Sequence, residues 1–211
     1  MGVKERRERE RGETRDKILD AARELFLSEG YEGVSMRKVA EKIEYSPTAI
    51  YVHFADKRQL FRALCHEDFA RLSQSFQGFS QLKDPVQRLA QIGRMYIEFG
   101  LRFPHHYQLM FMTQHPEGEP DDRDREVMGN PELDAYAFLR QTVQEAIHAG
   151  RFRQELKDAE LVSQTLWAAV HGVIALEIAK RDDYWVKWHP LERRAELMLD
   201  AVLRGLLKKG K

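Results

Sequence analysis

Apolar residues recur along the chain at intervals of three and four, and no useful length alternates apolar with polar. That pattern predicts an all-α protein of about nine helices. The first apolar face, Ile18, Ala22, Leu25 and Phe26, predicts a helix over about 14–29, capped by Thr14 and ended by Gly30. Two short patterns follow. Met36, Val39, Ala40 and Ile43 predict a helix over about 36–43 with Ser35 as its N-cap. Ile50 and Phe54 predict another over about 47–54, with Ser46 as N-cap and Pro47 at its first position. Val34 with Val39, and Tyr45 with Ile50, occupy the hydrophobic-staple positions of these two starts.

Asp56 with Gln59 opens a long helix reaching about residue 77, carrying Phe61, Leu64, Cys65, Leu72 and Phe76. Asp84-Pro85 with Gln87 opens the next, apolar over most of its circumference, and Pro104 starts a short one over HHYQLMFM. Residues 114–130, polar with Pro and Gly, read as a loop. Asn130-Pro131 opens a helix ending near Gly150, Asp158 opens one to about 181, and Pro190 opens one to about 208.

The helices over 36–43 and 47–54 have the spacing of a helix-turn-helix. On the second, Ile50 and Phe54 point inward, which leaves Thr48, Tyr51, Val52 and His53 on the outer faces. Those side chains suit base edges and phosphates. Arg37 and Lys38 stand in the first turn of the preceding helix and Lys57 opens the following one. Spacing alone equally permits a plain helical hairpin with a polar outer face.

The stretches ILDAARELF (18–26), EGYEGVSMRKVAEKI (29–43) and SPTAIYVHFADKRQLF (46–61) resemble the DNA-binding domain of the TetR/AcrR family of bacterial transcriptional regulators. The resemblance implies a recognition helix in the major groove of a double-stranded operator, read by a homodimer. Residue by residue it places Ser35, Arg37, Ser46, Pro47, Thr48, Ala49, Tyr51, His53 and Lys57 at positions that contact DNA. Tyr51, His53 and Lys57 would hold phosphates, while Arg37 and the first recognition turn would read bases. Glu44 stands where the family has glycine, which predicts a strained turn, since such turns require positive φ.

FPHHYQLMF (103–111) and WAAVHGVIALE (167–177) resemble a regulatory body found in one branch of that family, marked by the Trp-His-Gly pattern of Trp167, His171 and Gly172. The resemblance implies a ligand-binding and dimerisation domain. Met95, Tyr96, Phe99, Phe103, Tyr107, Met110, Phe111, Phe138, Trp167 and His171 are the pocket candidates, Met and aromatics making adaptable walls. Val170, Ile174, Met198, Ala201, Val202 and Leu206 are the dimer-interface candidates. The division expected is an arm over 1–13, a DNA-binding domain over 14–62 and a regulatory domain over 63–211.

Charge changes the picture little overall, because 34 basic and 34 acidic side chains balance. Between Ser35 and Arg62, however, six basic residues (Arg37, Lys38, Lys42, Lys57, Arg58, Arg62) face three acidic ones (Glu41, Glu44, Asp56), an excess placed for phosphates. MGVKERRERERGE has no apolar core and reads as a solvated arm or a frayed helix extension rather than a signal peptide. Its Arg6, Arg7, Arg9 and Arg11 are the alternative DNA contacts of that arm. Cys65, the one cysteine, fits a reducing cytoplasm and a buried thiol. The most apolar run, Leu161 to Ala179, is interrupted by His171 and Glu177, and no membrane span is expected.

The sequence carries no nucleophile elbow, P-loop, dinucleotide-binding glycine pattern or cysteine zinc motif. His105, His106 and His115 lack the i, i+4 spacing of a helical metal pair. The expectation is therefore a non-enzymatic, ligand-responsive regulator without cofactor or metal. Its partners are an operator duplex, a small apolar or amphipathic effector and a second copy of itself. A regulator without a small-molecule input, and a helical metal-dependent enzyme using the histidines, are the rivals.

Overall fold

A computed structural model describes residues 2–115 and 119–208, so Pro116–Gly118 of the loop expected over 114–130 lies outside the described residues. Among the described residues ten helices follow one another: α1 (Val3–Gly33), α2 (Met36–Lys42), α3 (Pro47–Tyr51), α4 (Lys57–Gln77), α5 (Pro85–Arg102), α6 (Pro104–Phe111), α7 (Asp122–Val127), α8 (Ala135–His148), α9 (Ala159–Lys180) and α10 (Leu191–Leu206). Among the described residues no strand forms, and the one β-type pairing is an isolated antiparallel bridge between Phe152 and Leu207.

Three elements differ from the expectation, each for a local reason. α1 starts at Val3 rather than Thr14. Glu5 accepts the free N–H of Gly2 at 2.8 Å, and Arg6–Glu10 and Arg9–Glu13 pair one turn apart, which supports a helix through the arm. Thr14 is not a cap but bonds back to the Glu10 carbonyl at 2.8 Å. The regular helix breaks at Gly30, whose φ of 72° only glycine adopts freely. Within the expected loop, Asp121 and Asp124 cap each other's backbone and create the extra helix α7. Asn130-Pro131 opens a turn instead of a helix, because Asn130 takes the Asp134 N–H at 2.7 Å on its backbone carbonyl. Asp134 then caps α8 by accepting from Tyr136 and Ala137.

The chain divides into two compact units, Met1–Phe69 with His105–Glu119, and Ala70–Pro104 with Pro120–Lys211. The division falls inside α4, and α6 belongs to the first unit although α5 separates it in sequence. The core of the first unit gathers Ile18, Ala22 and Phe26 of α1, Val39 and Ala40 of α2, Ile50 of α3, Leu60, Phe61 and Leu64 of α4, and Leu109 of α6. Phe26 and Phe61 meet edge to face at 5.0 Å, and Tyr31 packs on both. Beside this core Asp68 is 1% exposed and forms a two-point ion pair with buried Arg23 of α1, while Nδ1 of His106 on α6 lies 2.7 Å from Asp68 Oδ1, the oxygen that also accepts from Arg23 Nη2. One carboxylate thus fastens α1 and α6 to α4.

In the second unit α5, α8, α9 and α10 bury Leu89, Ile92, Tyr96, Phe138, Val143, Leu166, Val170, Ile174 and Leu199. Gly93 permits close approach of α5 to α10, since a Cβ there would stand 2.5 Å from Leu199 Cδ2. Arg88, nearly buried, donates to the Leu82 carbonyl and to Glu145 of α8 at 2.6 Å. α10 is anchored at its end, where Arg153 N–H donates to Leu206 O and Lys208 N–H to Arg151 O.

Removing one member of a buried ion pair strands the other charge. Asp68→Ala is expected to destabilise the first unit by about 3–5 kcal/mol, read as a lowered midpoint in denaturant unfolding.

Candidate nucleic-acid interface

The expected helix-turn-helix forms with both of its caps. Ser35 Oγ accepts the Lys38 N–H at 3.2 Å and starts α2, and Ser46 Oγ accepts the Ala49 N–H at 3.3 Å and starts α3, with Pro47 first. Val34 and Val39 are buried as a staple requires, whereas Tyr45 remains 37% exposed and only Ile50 of the second pair is sunk in the core.

The turn between the helices is where the sequence is least at ease. Glu44 has φ of 60° and is the single non-glycine residue with positive φ among those described. Its N–H donates to Glu41 O at 3.2 Å and the next N–H, of Tyr45, donates to Ala40 O at 2.9 Å. These are the two bonds of a Schellman stop, with glutamate where glycine fits best. The strained turn expected from the sequence is present.

The outer surface of α3 is bare. Tyr51 is 53% and Val52 63% exposed, and Thr48 is exposed beside them, while Ile50 and Phe54 are buried. Ala49 and His53 are half-buried. Burial, then the charges of Arg11 and Arg15, push the His53 pKa below the ordinary histidine value, so the ring is neutral near pH 7.

The surrounding cations are not equivalent. Lys38 is drawn to Glu29 and the Gly33 carbonyl of α1, and Lys42 to Glu24 at 2.8 Å. Lys57 donates to the Tyr31 carbonyl at 2.9 Å, with its ammonium 4.3 Å from the Tyr31 ring centre and Glu32 at 3.8 Å. Arg37 points away from the core and, among the described residues, pairs only through Nε, 2.8 Å from Glu41 Oε1 one turn along α2. Its two terminal nitrogens keep the end-on fork that matches a guanine edge. Sequence reading anticipated these cations but missed Glu24, Glu29 and Glu32, because nothing in local spacing links α1 to α2 or α4. The Arg37–Glu41 pair was legible as an i, i+4 spacing.

The other candidates separate. Met95, Tyr96, Phe99, Phe103, Phe138, Trp167 and His171 lie in the second unit, and Tyr107, Met110 and Phe111 in the first. Tyr96, Phe99, Phe138, Tyr107 and Met110 are buried core, whereas Met95, Phe103, Phe111, Trp167 and His171 keep some exposure. Trp167 Nε1 donates to Tyr96 Oη at 2.9 Å and its ring stands 5.7 Å from that of Tyr136. Burial and the hydrogen bond to Glu160 push the Tyr136 hydroxyl up to about 12, and burial lowers the His171 pKa. Val170, Ile174 and Leu206 are buried within the chain's own second unit, while Ala201 is exposed and Met198 and Val202 are half-buried. The histidines of the enzyme rival do not converge: His106 faces Asp68, His115 stacks edge-on against Phe61, and His105 is exposed.

An all-helical chain that opens on a doubly capped helix-turn-helix and leaves the outer face of its second helix bare is built as a DNA-binding regulator. Comparison with known proteins agrees. Residues 18–64 match the family of bacterial regulatory proteins, tetR family, and residues 89–202 match the tetracyclin repressor-like C-terminal domain. The chain belongs to the TetR family, whose members regulate transcription and are not enzymes. It is 45% identical over 60 residues to the HTH-type transcriptional repressor AcnR of Corynebacterium diphtheriae, spanning 28% of this chain but only 32% of that relative. It is 24% identical over 165 residues to the HTH-type transcriptional regulator UidR of Escherichia coli K12, covering 77% of this chain and 80% of UidR. The fold matches the solved SmeT–triclosan complex with a TM-score of 0.68 at 20% identity, over 93% of both chains. The Trp-His-Gly branch rests on the resemblance of residues 103–111 and 167–177, with Trp167, His171 and Gly172 as its pattern.

A left-handed residue without glycine's freedom costs on the order of 1 kcal/mol. Glu44→Gly is expected to stabilise the first unit by about that amount, seen as a raised unfolding midpoint.

Proposed function

We propose that this chain is a repressor that binds a palindromic operator as a homodimer and is released by a small apolar or amphipathic effector. The observation that carries the reading is the bare outer face of α3, Thr48, Tyr51 and Val52, beside an Arg37 whose terminal nitrogens meet no partner among the described residues. Ser35, Ser46, Pro47 and Ala49 set the two helix starts against the duplex, Arg37 and Thr48 reach base edges, and Tyr51, His53 and Lys57 hold phosphates. Lys57 does so after exchanging its intramolecular partners for DNA.

A second copy accounts for α9, whose apolar window is only 28% buried. Leu161, Ala168 and Leu176 on α9 and Leu197 and Ala201 on α10 are exposed. The half-buried Met198, Val202 and Gly172 adjoin them. An apolar helix pair left this open in a regulator belongs against another protein surface. Val170, Ile174 and Leu206 support that face from beneath. SmeT, similar in fold, has been solved in complex with triclosan, and the half-exposed Met95, Phe103, Trp167 and His171 are the residues that an effector of this chain would meet. An effector that favours a DNA-incompetent state 100-fold shifts the balance by about 2.7 kcal/mol. Such a regulator works in the cytoplasm, with the chromosome.

Selection from a random duplex library by the purified chain is expected to return a palindrome containing a guanine read by Arg37, whose preference is lost in Arg37→Gln. Return of no sequence by a folded dimer refutes operator binding, and operator affinity unmoved by any saturating effector refutes release. The His53 pKa lies below its ordinary value in the free protein, and a phosphate favours the charged ring. DNA binding therefore takes up a proton, and affinity is expected to rise as pH falls from about 8 toward 6, a rise that His53→Gln flattens.

A further inference from the structure

We infer that the first three turns of α1 are a second DNA-binding surface, in which Lys4, Arg7 and Arg11 bind duplex phosphates outside the reach of α2 and α3. This rests on the operator-binding reading and extends its footprint. In a helix of 3.6 residues per turn, positions 4, 7, 11 and 15 share one face, and Ile18 and Ala22 continue the same face. At Ile18 and Ala22 that face is 0% exposed and forms the core. Toward the N-terminus it turns basic and comes out into solvent at Arg11, Arg7 and Lys4.

Arg15 marks the change. Its guanidinium lies 5.4 Å from the centre of the Phe54 ring, just past the end of α3, and pairs with Glu67 of α4. The basic row therefore leaves the core beside the C-terminal end of the recognition helix. The lowered pKa of His53, caused in part by Arg11 and Arg15, fits that placement.

The acids of the arm are directed elsewhere. Glu10 and Glu13 pair with Arg6 and Arg9, which point to the other side, Glu5 caps Gly2, and only Glu8 flanks the row. Arg7, Arg11 and Arg15 succeed one another at i, i+4, where like charges destabilise a helix. A row that repels itself, prolongs a core face and abuts the recognition helix is complementary to a polyanion, and the polyanion next to α3 is the DNA backbone.

The test is the salt dependence of affinity of the full chain, on the selected operator and on a random duplex of equal length. Each phosphate contact contributes about 0.9 to the slope of log K against log [KCl], so Arg7→Gln/Arg11→Gln is expected to flatten it by roughly 2 per subunit on both duplexes. Base preference should stay unchanged. Arg6→Gln/Arg9→Gln should leave the slope as it is, and circular dichroism checks that both variants keep their helix. Wild-type slope in the Arg7/Arg11 variant, with the operator still bound, overturns the second surface alone. A wild-type chain that binds neither duplex overturns operator binding and this surface with it.

Discussion

A helix as short as α3 cannot stand by itself. Five residues make little more than one turn, and nucleating a turn in water is unfavourable by a factor near a thousand. Its shape is imposed from outside: Ser46 and Pro47 fix how it starts, and Ile50 and Phe54 pin it into the core built by α1, α2 and α4. Everything that makes the bare face of α3 useful depends on that burial, because the exposed side contributes nothing to holding the helix. The remainder of the first unit follows as a clamp for one helical turn.

The same logic explains why a charged cluster lies beside this core. Arg23, Asp68 and His106 come from three helices widely separated in sequence and meet at one carboxylate. Apolar contacts would tolerate a slide of one helix along another, whereas a two-point guanidinium–carboxylate pair has one geometry. Around the rim, glutamates of α1 hold Lys38, Lys42 and Lys57. Exposed pairs of this kind add little to stability, but they hold lysines close to the protein until a stronger anion competes for them.

What the sequence made legible was periodic or local. Caps at Ser35, Ser46, Asp84 and Asp158 and the inward Ile50 and Phe54 were readable from a few neighbouring residues, whereas the left-handed Glu44 was expected only from the family resemblance, which puts glycine there. The start of α1 was misplaced because Thr14 has the type of a cap, while salt-paired turns upstream continue the helix. The start of α8 was misplaced because Asn130-Pro131 has the type of a helix start, whereas Asp134, whose side chain accepts from Tyr136 and Ala137, is the residue that caps it. Val170, Ile174 and Leu206 illustrate a general limit: an apolar residue in the sequence does not say whether it faces its own core or a partner. Pairings such as Glu29 with Lys38 were invisible for the same reason, since tertiary proximity leaves no trace in spacing.

Placement of α6 has an implication for how such proteins are recombined. The first unit is discontinuous in sequence, taking His105–Glu119 from beyond α5. Leu109 completes its core and His106 meets its buried carboxylate. A chimera joined within α4 would therefore not transplant a whole module. It would give the incoming head a foreign α6, and the new junction would have to match an imidazole and an isobutyl side chain that lie more than a helix away from the splice.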